Sequence, residues 1–119
     1  IQLRLEVAPG LPDVRADRRR LARVLHLLLE RAAARAPEGS AVWVFAHAEP
    51  PCLAFGVADE GAVPSTADAF DPRASVAHER RLESGLALPL ARVVARAHGG
   101  DAELRREGGA VACVLRLPA

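Results

Sequence analysis

The residues whose types and spacing best suit binding chemistry lie at positions 55–61, where an apolar run ends in the carboxylate of Asp59 and Gly61 follows two residues later. A buried strand that stops at an acid places that acid at the mouth of a cleft, where its oxygens can accept hydrogen bonds from a ligand. Gly61 would let the backbone pass close to a flat ring, or adopt a positive φ without a Cβ penalty. An Asp-x-Gly triplet also fits a plain turn after a strand, so the neighbouring segments must decide between the two interpretations.

The other reactive residue types lack the partners that catalysis or metal binding requires, and we predict neither a catalytic residue nor a metal ligand. The sequence contains no convincing Ser–His–Asp, Cys–His or paired-carboxylate arrangement. The pair His78-Glu79 places a histidine beside an acid, but it lies in a predicted loop. His26 lies near an apolar helix stripe, which favours a packed histidine over a ligand. Cys52 and Cys113 lack CxxC or His-rich spacing, so we interpret them as small buried hydrophobes in a reducing compartment, without zinc or a disulfide.

The composition is that of one compact domain, residues 1–119, with a core of Leu, Val and Ala. A net charge of +1 argues against nucleic acid as a partner, because proteins that bind the phosphate backbone usually carry a basic excess on one face. No apolar run approaches the roughly 18 residues that span a bilayer, and no signal peptide opens the chain. We therefore predict a cytoplasmic domain without membrane contact. Its abrupt start in strand-like residues suggests a piece of a longer protein.

The first part of the chain predicts a strand, a turn and a long helix. Residues 1–7 alternate apolar and polar, with Ile1, Leu3, Leu5 and Val7 on one side, which is the period of a half-buried strand. Residues 14–15 are a predicted short extended piece after a Pro- and Gly-rich turn. Asp17 is the predicted N-cap of a helix that ends near Arg35. The apolar positions of this helix follow a 3.6-residue stripe: Leu21, Val24, Leu25, Leu28, Leu29 and Ala32.

The rest of the chain predicts two hairpins separated by a loop and a second helix. Residues 41–48 and 52–59 are predicted antiparallel strands, with Trp43 and Phe45 on one face and Val42 and Val44 on the other. Residues 60–84 form a long loop, which in a compact domain is usually a functional lid or a disordered segment. The second helix ends at a glycine cap, residues 98–100, and carries the apolar stripe Leu86, Leu90, Val93, Val94 and Ala97.

Residues 101–106 and 110–117 form the closing hairpin. The complete order is strand, helix, hairpin, long loop, helix, hairpin. This order predicts the α/β class: a two-layer sandwich in which a mixed β-sheet has its helices packed on one face.

Six segments in this order resemble the ATP-binding domain of sensor histidine kinases, a fold shared with the gyrase, Hsp90 and MutL ATPases (the Bergerat or GHKL fold). The resemblance covers nearly the whole chain, and its segments have spacing similar to the family's. They are residues 11–17 with Arg20-Leu21, Ala32 with Pro37-Glu38-Gly39, Asp59-Glu60-Gly61, Phe70-Asp71-Pro72, Ser84-Gly85-Leu86-Ala87-Leu88, and Ala97-His98-Gly99-Gly100 with the ending Leu115-Arg116-Leu117-Pro118.

The resemblance implies an adenine nucleotide, ATP or ADP, as the ligand. In the family, the acid of the first glycine box accepts a hydrogen bond from the adenine amino group, and Asp59 would take that role with Gly61 beside it. A charge-assisted bond of this kind contributes on the order of 1.5–3 kcal/mol. Gly85 and Leu86, in the second glycine box, would lie at the start of the second helix near the phosphates, where the helix dipole favours anions.

The sequence departs from the family where the phosphates would be held. The family's first helix carries two asparagines four residues apart, the second of which coordinates Mg²⁺. Leu27 and Arg31 stand at these positions, and neither can ligate a cation that requires oxygen ligands. The family's magnesium site is therefore predicted to be absent. Arg31 either contacts the phosphates directly or is a solvated or salt-bridged side chain at the helix rim, paired with Glu30 or Glu38. Glu30 is also the nearby acid on that helix that could rebuild a metal site, although it points about 100° away.

The glycine boxes and the loop between them also differ from the family's pattern. Val63 replaces the second glycine of the first box, and Glu83 and Ala87 replace two of three glycines in the second. Glu83 would place a negative charge close to the triphosphate. Arg73 stands where the family has the second aromatic residue of its phenylalanine box.

These departures leave three hypotheses for the function. The first is a sensor-kinase nucleotide-binding domain that is degenerate: it binds ATP or ADP weakly, without the metal, and transfers phosphate poorly. Its partners would be the helical dimerisation and phosphotransfer domain of the same protein and a response regulator. The alternative is a non-catalytic pseudokinase module that only docks those partners. The third is a working kinase whose unusual residues rebuild the metal site. The basic run of residues 18–20 with Arg23 is interpreted as a solvated helix face that could also dock an acidic partner surface.

Overall fold

The computed structural model describes residues 2–61, 70 and 86–119. Their element order is strand, helix, two strands, helix, two strands, as the sequence predicts. The elements are β1 (Gln2–Val7), α1 (Arg18–Arg35), β2 (Ala41–Glu49), β3 (Cys52–Asp59), α2 (Ala87–Ala97), β4 (Asp101–Glu107) and β5 (Ala110–Pro118). The predicted extended piece at residues 14–15 is wrong, because the backbone there has no strand partner.

The five strands form one mixed sheet in the order β1-β2-β3-β5-β4. β1 runs parallel to β2, and the other three neighbouring pairs are antiparallel. Both helices pack on one face of this sheet, which we call the covered face, and the opposite face is the open face. The structure therefore confirms the predicted α/β two-layer sandwich with helices on one face of a mixed sheet.

Helix α1 begins where the sequence predicts it. The Asp17 carboxylate accepts a hydrogen bond from the Arg20 backbone N–H at 3.1 Å, which satisfies one of the free donors of the first turn. The face of α1 that packs on the sheet consists of Val24, Leu27, Leu28, Arg31 and Ala32. Leu21, Leu25 and Leu29 are half-buried at the edges of this face. The predicted stripe is thus right in direction but omits Leu27, which is 2% exposed.

The basic run at the start of α1 is exposed, in agreement with its interpretation as a solvated face. Arg20 lies 3.5 Å from the Asp17 carboxylate in a pair that is itself largely exposed. Exposed pairs of this kind contribute little to stability.

Helix α2 ends in a Schellman motif. Gly99 has φ +82°, the Gly100 N–H donates to the Ala95 carbonyl at 2.9 Å, and the Gly99 N–H donates to the Arg96 carbonyl at 3.0 Å. The residue between helix and glycine, His98, joins the two helices. Its Nδ1–H donates to the Val94 carbonyl at 2.7 Å, and its Nε2 accepts the Asp17 backbone N–H at 2.9 Å. The end of α2 is thereby tied to the cap of α1.

The predicted apolar stripe of α2 is largely wrong. Leu86 and Val93 are 43% and 63% exposed, whereas the buried residues are Ala87, Leu88, Pro89, Ala91, Val94 and Ala95. Three of these are alanines at a spacing of four residues, which lie on one side of a helix. Short side chains on that side let α2 approach the sheet and α1 closely. A helix face predicted from the positions of large apolar residues alone therefore omits a buried face made of alanines.

The two faces of the sheet carry different side chains. The covered face supplies the main core with residues such as Val42, Phe55, Val57, Leu115 and Leu117. The open face carries a smaller cluster of Ala54, Ala58, Ala112 and Val114, against which Trp43 and Phe45 pack. The predicted separation of Trp43 and Phe45 from Val42 and Val44 is therefore confirmed.

Strand β1 was predicted to be half-buried, and this is wrong. Leu3, Leu5 and Val7 point toward the covered side of the sheet but are 68%, 73% and 55% exposed. The reason is the sheet order: β1 is an edge strand, and α1 lies over β3 and β2 rather than over the edge.

No helix in the described part of the chain is long and apolar enough to cross a bilayer.

Candidate functional site

Asp59 lies where β3 ends, on the covered face of the sheet, and is 3% exposed. Its neighbours across the sheet are Val42 and Val111, so its backbone is held on both sides by apolar strands. Its Oδ1 accepts the Gly61 backbone N–H at 2.7 Å. Its Oδ2 lies 3.7 Å from Nε of Arg35, at the end of α1. A carboxylate offers about four acceptor positions, so these two contacts leave capacity for a further donor.

Gly61 is required here by close approach and not by backbone conformation. A Cβ at this position would lie 2.7 Å from Oδ1 of Asp59, 3.1 Å from Nη2 of Arg35 and 3.2 Å from the Arg35 carbonyl. The φ angle of Gly61 is not positive. The neighbours of Gly61 are therefore the Asp59 carboxylate and the end of α1. The alternative of a positive φ is wrong, and the close passage of the backbone along a flat ring stays a prediction.

Arg35 is a residue of this site that the sequence analysis missed. Its position in the sequence indicates only the last residue of a helix, whereas in the structure its side chain is 20% exposed and faces Asp59. The available signal was its position four residues after Arg31, since residues at this spacing lie on one side of a helix. An arginine in the last turn also interacts favourably with the helix dipole. This interaction explains the residue type without any contact between Arg35 and Asp59, so the contact was not predicted.

Arg31 is buried, at 7% exposure, on the sheet-facing side of α1. Its predicted alternative as a solvated side chain at the helix rim is therefore wrong, and the salt-bridged alternative stays a prediction. Arg31 lies close enough to β5 for its charge to affect the pKa of the Cys113 thiol. Burial raises the pKa of the Cys113 thiol to about 12, and the positive charges of Arg31 and Arg92 act in the opposite direction. Leu27, one turn earlier, is part of the apolar core.

Two charged residues are buried among those that the structure describes: Asp59 and Arg31. Both were singled out from the sequence as nucleotide-binding candidates. Burial of a charge is costly unless it is paired or hydrogen-bonded, so these two positions differ physically from the solvated arginines and acids elsewhere in the described chain.

The other predicted site residues lie at the start of α2. Leu86 precedes its first residue and is 43% exposed, and its side chain makes no capping bond. Gly85 lies outside the described residues, as do the predictions made for Val63, Arg73, His78-Glu79 and Glu83.

Phe70, from the segment that resembles the phenylalanine box, is half-buried and packs against the main hydrophobic core. Its ring centre lies 3.7 Å from the guanidinium carbon of Arg92, which is cation–π geometry. The same guanidinium donates to the Ala102 carbonyl at 2.9 Å through Nη2. Arg92 of α2 therefore contacts both the Phe70 ring and the backbone of β4.

The acid considered for a rebuilt metal site lies on the exposed side of α1. Oε1 of Glu30 lies 3.0 Å from Nε2 of His26, with the two side chains 47% and 69% exposed. His26 is therefore not the packed histidine that the sequence predicts. Within residues 2–61, 70 and 86–119, no three His, Cys, Asp or Glu side chains are grouped as a metal ion would need. Both cysteines are free; Cys113 is buried and Cys52 is half-buried.

The open face carries a second set of charges and a cavity. Arg105 of β4 reaches across β5 and β3 to Glu49 at the end of β2. Its Nη2 donates to Oε1 of Glu49 at 2.8 Å, its Nη1 donates to Oε2 of the same carboxylate, and its Nε donates to Glu103 at 2.7 Å. A cavity of about 590 Å³ lies beside this bridge, between Trp43, Phe45, Ala58 and Ala112. Asp59 does not line it, so the candidate site and this cavity are on opposite faces.

Comparisons with known proteins agree with the sequence resemblance. No protein-family model matches the chain. It is 36% identical over 124 residues to the histidine protein kinase DivJ of Caulobacter vibrioides, a match that includes 99% of this chain and 21% of that kinase. This chain thus spans about a fifth of the length of the curated relative it matches.

Solved structures extend the comparison to the fold. The nucleotide-free catalytic domain of the histidine kinase ThkA superposes with a TM-score of 0.80 at 19% identity, over 98% of this chain and 78% of that one. Full-length ShkA in complex with AMPPNP superposes with a TM-score of 0.78 at 24% identity, over 98% of this chain and 25% of that one. At these identities the structures show a shared fold. Together with the relationship to DivJ, they show that this chain is a GHKL-type domain of the sensor histidine kinase family.

Proposed function

We propose that this domain binds an adenine nucleotide, ATP or ADP, weakly and without the family's magnesium site, and that it transfers phosphate poorly. The observation that carries the proposal is that Asp59 and Arg31 are the two buried charges of the described chain. The first is an acceptor suited to a purine amino group, and the second is a cation where the family has an oxygen ligand.

The adenine end of the site is supported by the environment of Asp59. The carboxylate lies at the end of β3 beneath α1, between apolar strands that would exclude water from one side of a bound ring. Its contact with Arg35 is long, at 3.7 Å, compared with 2.7–2.9 Å for a strong charge-assisted hydrogen bond. An exocyclic N–H donor of adenine could therefore bond to this carboxylate without breaking a strong ion pair.

The phosphate end is supported by the two arginines of α1. Arg31 and Arg35 lie one turn apart on the same side of the helix, about 6 Å apart along its axis. Guanidinium groups bind phosphate oxygens well but repel Mg²⁺. We therefore expect the triphosphate to be neutralised by protein cations rather than by a bridging metal ion.

The wider setting is part of the same proposal. The parent protein would be a two-component sensor kinase, and this domain would work in the cytoplasm. Its partners would be a helical dimerisation and phosphotransfer domain of the same protein and a response regulator. Support comes from the relationship to DivJ, of which this chain matches only a part.

A second function is favoured by one observation. In the structure Asp59 already has two internal partners, the Gly61 N–H and Arg35. A carboxylate that is satisfied internally could serve only to join β3 to α1, and the domain would then be a pseudokinase module that docks its partners without nucleotide.

Titration calorimetry with ATP, ADP and adenosine, each with and without Mg²⁺, separates these functions. We expect measurable ATP binding that Mg²⁺ does not strengthen, and a loss of about tenfold or more in Asp59→Asn. Glu60→Gln is the matched control, because this neighbouring acid is exposed. Binding that strengthens markedly with Mg²⁺ would refute the metal-free site, and no binding at millimolar nucleotide would favour the docking module.

The same titrations test the role of Arg31. Arg31→Ala should weaken ATP binding and leave adenosine binding nearly unchanged, because only ATP carries phosphates. Arg19→Ala, an exposed position on α1, is the control. Equal losses for both ligands would show that Arg31 supports the fold and does not contact phosphate.

A further inference from the structure

The edge strand β1 has an unusual surface. Its three apolar side chains Leu3, Leu5 and Val7 lie on one side and are 68%, 73% and 55% exposed. The polar residues Gln2, Arg4 and Glu6 lie on the other side, since side chains alternate along a strand. Proteins usually blunt exposed edge strands with charges, bulges or a covering segment. An apolar row beside an open edge is therefore a candidate surface for another strand.

Among residues 2–61, 70 and 86–119, β1 pairs with β2 alone, and no described strand pairs with its other edge. In the parallel ladder with β2, Gln2 and Ala8 donate to the carbonyls of Ser40 and Ala46 at 3.1 and 2.9 Å. Because alternate residues of a strand point their amides to opposite sides, residues 2, 4, 6 and 8 bond to β2. The N–H and C=O groups of Leu3, Leu5 and Val7 point away from the sheet.

The sequence of β1 is complementary to itself when two copies run antiparallel about Leu5. In that register Leu5 lies opposite Leu5 of the second copy, and Leu3 lies opposite Val7. The outward amides belong to these same residues, so each pair would exchange two backbone hydrogen bonds. Arg4 would lie opposite Glu6 of the second copy, in non-hydrogen-bonded pairs whose side chains are close together.

We propose that two copies of this chain associate through β1, antiparallel and centred on Leu5, to form one continuous sheet. The apolar residues would cover one another on one side, and the two Arg4–Glu6 pairs would fix the register on the other. The bond that Arg4 now makes to the Gln2 side chain, at 3.0 Å, is exposed and local, so an acid can replace it at little cost. This association does not involve the nucleotide site.

The interface is small, because each copy contributes one six-residue strand. Stable dimers usually bury about 800 Å² per partner, so we expect a weak dimer that forms reversibly. Sedimentation equilibrium of the chain from about 10 to about 500 μM should show a weight-average mass that rises with concentration. A mass that stays at the monomer value throughout this range would overturn the proposal.

Charge substitutions test the register. Arg4→Glu should abolish association because acids would face acids, and Glu6→Arg should do so because arginines would face arginines. The double substitution Arg4→Glu with Glu6→Arg should restore it. Equimolar mixing of the two single variants should give a heterodimer, since each charge then meets its opposite. Arg19→Glu, exposed on α1, is the control and should associate like the unchanged chain.

Hydrogen exchange supplies a readout at single residues. Raising the concentration should slow exchange at the amides of Leu3, Leu5 and Val7, while those of Arg4 and Glu6 are protected already in the monomer. Circular dichroism of every variant checks that it is folded. A dimer that survives both single charge substitutions, or that protects other amides, would show association elsewhere and would refute the β1 interface.

Discussion

On each face of the sheet an arginine lies beside a carboxylate, and the pair on the covered face, Asp59 with Arg35, differs in almost every physical respect from the pair on the open face, Glu49 with Arg105. On the covered face Asp59 is 3% exposed and lies 3.7 Å from Arg35. On the open face Glu49 is held by both terminal nitrogens of Arg105 and also contacts Nε2 of His47 at 2.8 Å. The Glu49 and Arg105 side chains remain about a quarter exposed.

This difference separates a structural ion pair from a candidate binding site. The hydrogen bonds from Arg105, then from His47, lower the pKa of Glu49 to about 2, and the same pairing raises the pKa of Arg105. Glu49 therefore has its bonding capacity used within the fold. Asp59 is more deeply buried but more loosely paired, so a ligand donor that reached it would gain more.

The largest expected effect comes from removing the arginine of the covered pair. Arg35→Ala would leave Asp59 as a buried charge with only the Gly61 N–H, and we expect the free energy of unfolding to fall by about 3 kcal/mol. Adding Asp59→Asn should recover a large part of this loss, because the uncompensated charge is then removed. Urea denaturation of the single and double variants measures both changes.

The control for this experiment is Arg96→Ala. Arg96 lies 3.2 Å from Asp101, but its side chain is 60% exposed, so its loss should cost about 1 kcal/mol or less. If Arg35→Ala cost no more than Arg96→Ala, or if Asp59→Asn gave no recovery, the covered pair would be no different from a surface pair.

A smaller effect, dependent on pH, is expected on the open face. The pKa of Glu49 is lowered in the folded state from its ordinary 4.5 to about 2. Its stabilising contribution is therefore complete above about pH 5 and is lost as the pH falls toward 2. Glu49→Gln should lower the free energy of unfolding by about 1 kcal/mol at pH 7 and make it less dependent on pH between 5 and 2. Glu38→Gln, at an exposed acid, is the control substitution.

The smallest effect concerns reactivity and leaves stability unaltered. Cys113 lies on the covered face, where burial raises its pKa to about 12, while Cys52 is half-buried at the start of β3. We expect iodoacetamide at pH 8 to modify Cys52 in the folded protein and both thiols after unfolding, because the thiolate is the reactive form. Mass spectrometry counts the adducts, and Cys52→Ser should give almost none while folded. Equal labelling of both thiols in the folded chain would show that the covered face opens readily.

Much of the fold was predictable because its signals are local. The Asp17 cap, the glycines after His98 and the alternation in β2 each act within a few residues, and the structure confirms them. The failures are non-local. The exposure of Leu5 depends on which strand lies at the sheet edge, and the exposure of Val93 depends on alanines that let α2 approach its neighbours.

The residues of the candidate site also fall into two groups: those that a local sequence pattern predicts and those that depend on packing between distant elements. Asp59 and Gly61 could be found from their order along the chain, since an acid and a glycine after a buried strand are a local pattern. Arg35 could not, because it meets Asp59 only after α1 has packed on β3, with 23 residues between the two in the sequence. The direction in which Arg31 points was undecided for the same reason.

By itself, the sequence determined the order of the elements and the family, because residue type and spacing are properties of the chain. The tertiary structure decided which charges are buried, which arginine faces Asp59 and which apolar side chains remain at an open edge. Burial and pairing depend on elements that are distant in the chain, and only packing brings those elements together.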